Sequence, residues 1–246
     1  EMCIRDRMSY IEKKGNIFNS NAMAVVNTVN CVGAMGKGIA LDFKLRYPEM
    51  FKEYQKICFK HLLKPGQILP YTKSSPIILN FAIKDDWKDP SRVEWIEETL
   101  QKFVANYHAL GITSVAFPWM GAMNGGLPIE TIKCLTRKYL SDLKDIDIEV
   151  YDFDPNVPCE LYKALENIAI QKNLSMSYLE EISGIKMRYW IKIFNVVNNS
   201  SVKSMNNLCN YYSEGKRIIG KTNIERLFIF LTSYKNGNIV LNESFF

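Results

Sequence analysis

The 246-residue chain is short of the residues that make metal centres: it holds only two histidines, His61 and His108, both in stretches with helical spacing. No cysteine or carboxylate stands at ligand spacing from either, so no metal site is expected. Its six cysteines, at positions 3, 31, 58, 134, 159 and 209, are scattered and form no CxxC pair. That excludes a zinc ribbon and a disulfide framework, and leaves reduced thiols in a cytoplasmic protein as the expectation. No apolar run approaches the roughly 20 residues that cross a bilayer, no signal peptide is readable, and no membrane partner is expected. Internal repeats and low-complexity tracts are absent as well. Glu1–Arg7 carry no periodicity and precede a methionine at 8; they read as a remnant outside the natural chain.

What remains has the balance of a globular protein, 47% apolar and 23% charged. The net charge of +5 is unevenly spread, since eleven basic residues face seven acidic ones beyond Pro155. An excess of that size in the C-terminal third is compatible with a polyanion partner there.

Up to about Asp154 the pattern alternates strand and helix. Ala24–Asn30, Gln67–Thr72, Ile77–Ile83, Ile112–Phe117 and Ile146–Phe153 read as strands rich in β-branched and aromatic residues. Between them, Ile39, Phe43 and Tyr47 recur at helical spacing, and Pro48 suits the first turn of a second helix. Ser91-Arg-Val-Glu94 reads as a capping box opening a helix that stops before Gly111, and Pro128–Leu140 is a further helix. This order predicts an α/β fold with a central sheet flanked by helices, spanning residues 9–154. Ligands of such sheets bind at the carboxyl ends of the strands.

Two glycine-rich segments fall at that edge. Asn30–Ala40 places three glycines between a strand and a helix, and Gly121–Leu127 does the same again. Backbone N–H groups that glycine leaves accessible, with the positive end of a helix behind them, suit a phosphate. Neither segment is a P-loop, because no Gly-Lys-Ser/Thr is present, and neither has dinucleotide-fingerprint spacing. Two such loops at one sheet edge can grip both ends of a diphosphate. Lys84, at the end of a strand between them, is either a counter-ion for the phosphate or a nucleophile. Asp85 and Asp86 are solvated carboxylates or acid–base helpers, and Trp87 and Trp119 are core residues or stacking surfaces.

Taken in order, VNTVNCVGAMGKGIALDFKLRYPEMFKEY, ILNFAIKDDW, SRVEWIEETL and FPWMGAMNGGL make residues 10–153 resemble the macrodomain family. The nearest branch is that of the DarG antitoxins, which remove ADP-ribose from DNA. The resemblance implies a three-layer α/β/α sandwich with a mixed central sheet, ADP-ribose as ligand and ADP-ribosylated thymine in DNA as substrate. It also implies a DNA ADP-ribosyltransferase toxin as cognate partner, and no cofactor.

By that resemblance Asn27, Thr28, Val29 and Asn30 line the distal ribose. Met35, Gly36, Lys37, Gly38, Ile39 and Ala40 hold diphosphate and ribose, and Gly121, Ala122, Met123, Asn124, Gly125, Gly126 and Leu127 close over the diphosphate. Asn16 and Ile17 lie near the adenine; other macrodomains often carry an acid where Asn16 stands. Lys84 falls on the branch's catalytic lysine. Protein-deglycosylating relatives have an aspartate where this chain has Gly125, which favours a nucleic-acid substrate over protein carboxylates.

Asp154-Pro-Asn-Val-Pro158 breaks the pattern, and beyond it everything reads as helical, over 159–235. Helices are expected at Glu160–Lys172, Met176–Ser183, Lys186–Val197, Val202–Tyr212 and Asn223–Tyr234. Leu174–Ile193 resembles the helix-turn-helix of lambda-repressor-type regulators, with Gly184 at the turn. Lys186, Arg188, Tyr189 and Lys192 then face a major groove of duplex DNA. A small bundle binding a protein reproduces most of the same pattern. This tail does not resemble the toxin-binding region of DarG, so that contact is not carried over. Three readings stay open on sequence: a glycohydrolase, an ADP-ribose-binding module, and a DNA-binding regulator that senses ADP-ribose.

Overall fold

The structure, a computed structural model, describes residues 10–171, 174–199, 205, 208, 212–213, 216–217, 219–239 and 241. The chain divides into two compact units between Phe153 and Asp154.

The first unit is built on six strands, β1 (Tyr10–Gly15), β2 (Ala24–Val29), β3 (Ile68–Tyr71), β4 (Ile77–Ala82), β5 (Ser114–Pro118) and β6 (Asp147–Phe153). They lie in the order β1-β6-β5-β2-β4-β3. All pairings are parallel except that of β3, which runs antiparallel to β4 at the edge. The sheet is therefore mixed, as expected, and the carboxyl ends of its five parallel strands share one edge.

Alternation along each strand sends side chains to two cores. Ala24, Val26, Leu79, Phe81, Val115, Phe117, Ile148 and Val150 pack with Ile96, Leu100 and Phe103 of α3 (Val93–Asn106) and Ile132 and Leu135 of α4 (Ile129–Leu140). On the other face Val25, Val29, Ile78, Ala82, Ala116 and Tyr151 pack with Phe43 of α1 (Gly38–Arg46) and Met50, Tyr54 and Cys58 of α2 (Pro48–Phe59). Helix on sheet on helix is the sandwich the sequence order predicts.

One local expectation fails. Ser91 is not the helix cap: Arg92 holds that position and makes no side-chain cap bond. Ser91 lies one residue earlier, buried, with its N–H committed to the carbonyl of Gly125 at 2.9 Å, so its hydroxyl faces the loop after β5 and not the helix end.

The second unit contains α5 (Glu160–Ala169), α6 (Met176–Ser183), α7 (Met187–Asn199) and α8 (Lys221–Lys235) around Leu161, Leu165, Leu179, Trp190, Ile193, Leu227, Phe228 and Leu231. It is not wholly helical. Tyr212–Ser213 and Lys216–Arg217 pair as a short antiparallel ribbon, too brief to leave a period in the sequence. Most of the helix expected over Val202–Tyr212 lies outside the described residues, and its last residue, Tyr212, belongs to that ribbon.

Candidate active site

The shared carboxyl edge gathers four connections: Asn16–Asn19 after β1, residues 30–37 after β2, residues 83–92 after β4 and residues 119–128 after β5.

The first glycine loop is folded around one side chain. Asn30 is buried; its Oδ1 accepts from the N–H groups of Val32 at 3.1 Å and Ala34 at 3.2 Å, and its Nδ2 donates to the Ala34 carbonyl at 2.6 Å. The Tyr54 hydroxyl, reaching from α2, donates to the Asn30 carbonyl at 2.8 Å, and Gln55 Nε2 donates to the Gly33 carbonyl at 3.3 Å. The loop ends where α1 begins at Gly38, whose φ of +58° suits a residue without a side chain. First-turn N–H groups of a helix have no intrahelical acceptor, so Gly38, Ile39 and Ala40 present donors at the ligand edge. Lys37 precedes them, exposed and without a capping bond. Cys31, in the same loop, is no nucleophile: burial, reinforced by the Asp85 carboxylate, pushes its thiol up to about 12.

The second glycine loop is held by backbone. Leu127 N–H donates to the Gly121 carbonyl at 3.1 Å, Gly126 N–H to the Met123 carbonyl at 3.3 Å and Ser91 N–H to the Gly125 carbonyl at 2.9 Å. Gly125 has no room for a side chain, since a Cβ there would lie 2.3 Å from the Gly121 carbonyl oxygen and 2.7 Å from Ser91 Oγ. An aspartate at this position is sterically excluded. The Ser91 hydroxyl beneath it is buried and has no hydrogen-bond partner. Met123, Asn124 and Gly126 are exposed, while Ala122 and Leu127 are half-buried. The two loops touch, because a Cβ on Gly38 would meet Asn124 Nδ2 at 2.6 Å.

Lys84 stands at the junction. It is half-buried, and its Nζ donates to the Asn124 carbonyl at 2.8 Å. Its loop is fixed on both sides, by Cys31 N–H to the Asp85 carbonyl at 2.9 Å and by Ser91 to Gly125. A primary amine is thus presented between two glycine loops, one backed by a helix N-terminus. That arrangement can hold an anion, with a cation or nucleophile beside it. Asp85 is exposed, and Asp86 accepts from the Lys88 N–H at 3.0 Å. Of the two tryptophans, Trp119 is core and Trp87 is exposed.

Other expected site residues face inward. Asn27 is fully buried and donates to Asn80 Oδ1 at 2.8 Å within the sheet; Val29, Met35 and Ile17 are core. Asn16 is buried and accepts from Phe18 N–H at 3.1 Å. Of the segment Asn27–Asn30 only Thr28 keeps part of its surface. Sequence reasoning passed over Ser91 and Phe153. Phe153 ends β6 in register with Gly15, the residue before Asn16, and is 42% exposed. An aromatic as the last residue of a strand at the ligand edge was the available signal.

In the second unit, α6 and α7 are joined through Gly184, with φ +66°. The Ser183 hydroxyl pins the turn by accepting from Ile185 N–H at 3.1 Å and Trp190 Nε1 at 2.9 Å. Leu179 and Ile185 are buried and Ile182 is half-buried. Lys186, Arg188 and Lys192 are exposed and Tyr189 is half-buried. Lys186 pairs with Glu180 at 3.2 Å, and the Arg188 guanidinium lies over the Tyr189 ring at 5.0 Å.

Among the described residues no group of three or more His, Cys, Asp or Glu is arranged to hold a metal, and no helix is long and apolar enough to cross a membrane.

Comparison with known proteins gives a match of residues 26–135 to the Macro domain model. A DNA ADP-ribosyl glycohydrolase of Thermus aquaticus is 38% identical over 144 residues, which are 56% of this chain and 40% of that protein. A DNA ADP-ribosyl transferase-DNA ADP-ribosyl glycohydrolase fusion protein of Thermosipho africanus is 30% identical over 170 residues, 61% of this chain and 43% of that one. Among solved structures, the macrodomain of Mycobacterium tuberculosis DarG superposes with a TM-score of 0.54 at 37% identity, covering 57% of this chain and 97% of that one. The chain thus spans less than half the length of the curated relatives it matches.

Proposed function

The chain belongs to the macrodomain family, and we propose that it is a hydrolase that removes ADP-ribose from ADP-ribosylated DNA, with thymine as the modified base and Lys84 as the nucleophile. The observation that carries this reading is the Lys84–Asn124 bridge, which holds an amine at the meeting point of two glycine-rich loops.

The diphosphate sits against the first-turn N–H groups of α1 and the backbone of Gly121–Leu127. Lys84 Nζ attacks C1″ of the ribose with its lone pair. The bond from C1″ to the base nitrogen breaks, and the base leaves with the electron pair and takes up a proton. The ribose ring opens to a protonated Schiff base on Lys84. Water adds at C1″, the carbinolamine collapses, and the lysine amine and ADP-ribose are released. Backbone donors already fixed before the sugar arrives hold C1″ in reach without further ordering cost. The exclusion of any side chain at Gly125 supports a DNA rather than a protein-carboxylate substrate.

The relative in which an ADP-ribosyltransferase and a glycohydrolase are fused supports an antitoxin role opposite such a transferase. Incubation with thymine-ADP-ribosylated DNA tests the activity: release of ADP-ribose is expected. Retention of the label by wild-type protein, with ADP-ribose still binding, leaves a binding module instead.

A second reading concerns the second unit. Arg188 and Lys192, one turn apart and exposed on α7 behind a glycine turn, support docking of α7 in a DNA major groove. A gel shift on duplex DNA from the region upstream of the gene, lost with Arg188→Ala and Lys192→Ala, is the expected outcome; an unchanged shift refutes it.

A further inference from the structure

The connection between β4 and α3 does more than carry Lys84. Asp85 is tied to the first glycine loop and Ser91 to the second, so both ends of the connection are anchored on the walls of the pocket. Between these anchors the chain folds on itself, with Lys88 N–H on Asp86 Oδ1 at 3.0 Å and Asp89 N–H on the Asp86 carbonyl at 3.3 Å. This fixed turn holds Trp87 outward, 56% exposed, with Lys88 Nζ 5.5 Å from its ring centre. The other tryptophans with large buried surfaces, Trp119 and Trp190, are in the cores. Met123, 72% exposed, neighbours Asn124 on the opposite side of the Lys84 bridge. An indole with more than half its surface in water, three residues from Lys84, is not accounted for by core packing.

We propose that Trp87 is the acceptor-side platform of the site, on which the unpaired base next to the ADP-ribosylated nucleotide stacks. Trp87 takes this role on the footing of the glycohydrolase reading above, in which the leaving group is a base in a strand. A single strand fits and a duplex does not, because bases in a duplex already stack on their neighbours while an unpaired base has a free face. The charge of the connection agrees. Lys84, Lys88 and Arg92 are matched in number by Asp85, Asp86 and Asp89, so stacking and not phosphate neutralisation is what the turn supplies.

The test uses the full chain carrying Lys84→Ala, with and without Trp87→Ala. Affinity is measured by anisotropy for free ADP-ribose and for a single-stranded oligodeoxynucleotide bearing one ADP-ribosylated thymine. With Trp87 present the oligonucleotide is expected to bind at least about tenfold more tightly than ADP-ribose, equivalent to about 1.4 kcal/mol. Trp87→Ala should remove that advantage and leave the affinity for ADP-ribose itself, and Trp87→Phe should restore most of it. The advantage should change by less than about twofold between about 50 and about 200 mM salt. The proposal is overturned by equal losses for both ligands, by no loss for either, by an equal advantage on the duplex, or by an equal advantage for an ADP-ribosylated peptide. An equal advantage on the matched RNA strand supports it, since RNA offers the same base faces. Hydrolysis by wild-type protein is scored separately, so a failed platform and a failed glycohydrolase give different results.

Discussion

The two glycine-rich loops look alike in sequence and are built on opposite plans. The loop from Asn30 to Ala40 is organised by side chains: Asn30 bonds three of its own loop's backbone groups, and Tyr54 and Gln55 brace it from α2. The loop from Gly121 to Leu127 is organised by backbone bonds, with the Lys84 amine on the Asn124 carbonyl as a side-chain tie, and Gly125 is pressed against the Gly121 carbonyl and Ser91. A loop of the first kind depends on one buried polar residue and tolerates change elsewhere. A loop of the second kind depends on the absence of a side chain at one point.

Lys84 is where the plans meet, and its removal should have the largest effect. Lys84→Ala should lower the single-turnover rate of ADP-ribose release by about a thousandfold, or about 4 kcal/mol of barrier. The affinity for ADP-ribose should change by only a few-fold if, as proposed, backbone N–H groups hold the phosphates. A rate within about tenfold of wild type would make Lys84 a counter-ion only.

Gly125→Ala comes next and tests the backbone plan. A Cβ 2.3 Å from a carbonyl oxygen and 2.5 Å from the Gly121 Cα forces the loop to move, and both atoms are backbone with nowhere to yield. Loss of measurable ADP-ribose binding by calorimetry is expected, with destabilisation of about 1–3 kcal/mol in denaturant melts. Unimpaired binding would mean the loop is not as closely packed as its glycine implies. Asn30→Ala tests the side-chain plan: it strands the N–H groups of Val32 and Ala34, while the Tyr54 hydroxyl keeps the backbone carbonyl at position 30, at a cost of about 2–4 kcal/mol in folding stability. Binding should weaken with it, and Tyr54→Phe should reproduce a smaller part, about 1 kcal/mol.

The contrast also explains what the sequence made legible. The alternation of strands and helices from Ala24 onward, both loops and the position of Lys84 could be read because alternating apolar patterns and glycine clusters are local signals. The roles of the asparagines could not. Asn27 and Asn30 stand in a segment assigned to the ribose, yet both are buried and each donates its Nδ2 to a protein group, Asn27 to Asn80 some fifty positions away. A polar residue near a strand end reads the same whether it faces a ligand or a neighbouring strand, and only packing separates the two. Ser91 misled for a related reason. Ser-x-x-Glu before an apolar run is the signature of a cap, but a contact with Gly125, 34 residues on, shifted the helix start by one position. The short ribbon of the second unit left no signal because two residues per strand carry no period.

Gly36 gives the sharpest form of the comparison because the smallest effect is expected there. It sits among the three glycines of the first loop, exposed, with nothing within 4 Å of where a Cβ would stand and with no positive φ. By backbone geometry an alanine fits, so Gly36→Ala should leave stability within about 0.5 kcal/mol of wild type. Any effect must then come from the ligand: if the diphosphate passes over Gly36, the new methyl group meets it, and ADP-ribose affinity falls while the melting midpoint stays. Calorimetry and a thermal melt on the same sample separate the cases. A fall in both would place Gly36 with Gly125, as a glycine required by the fold, and the division between a side-chain loop and a backbone loop would no longer hold.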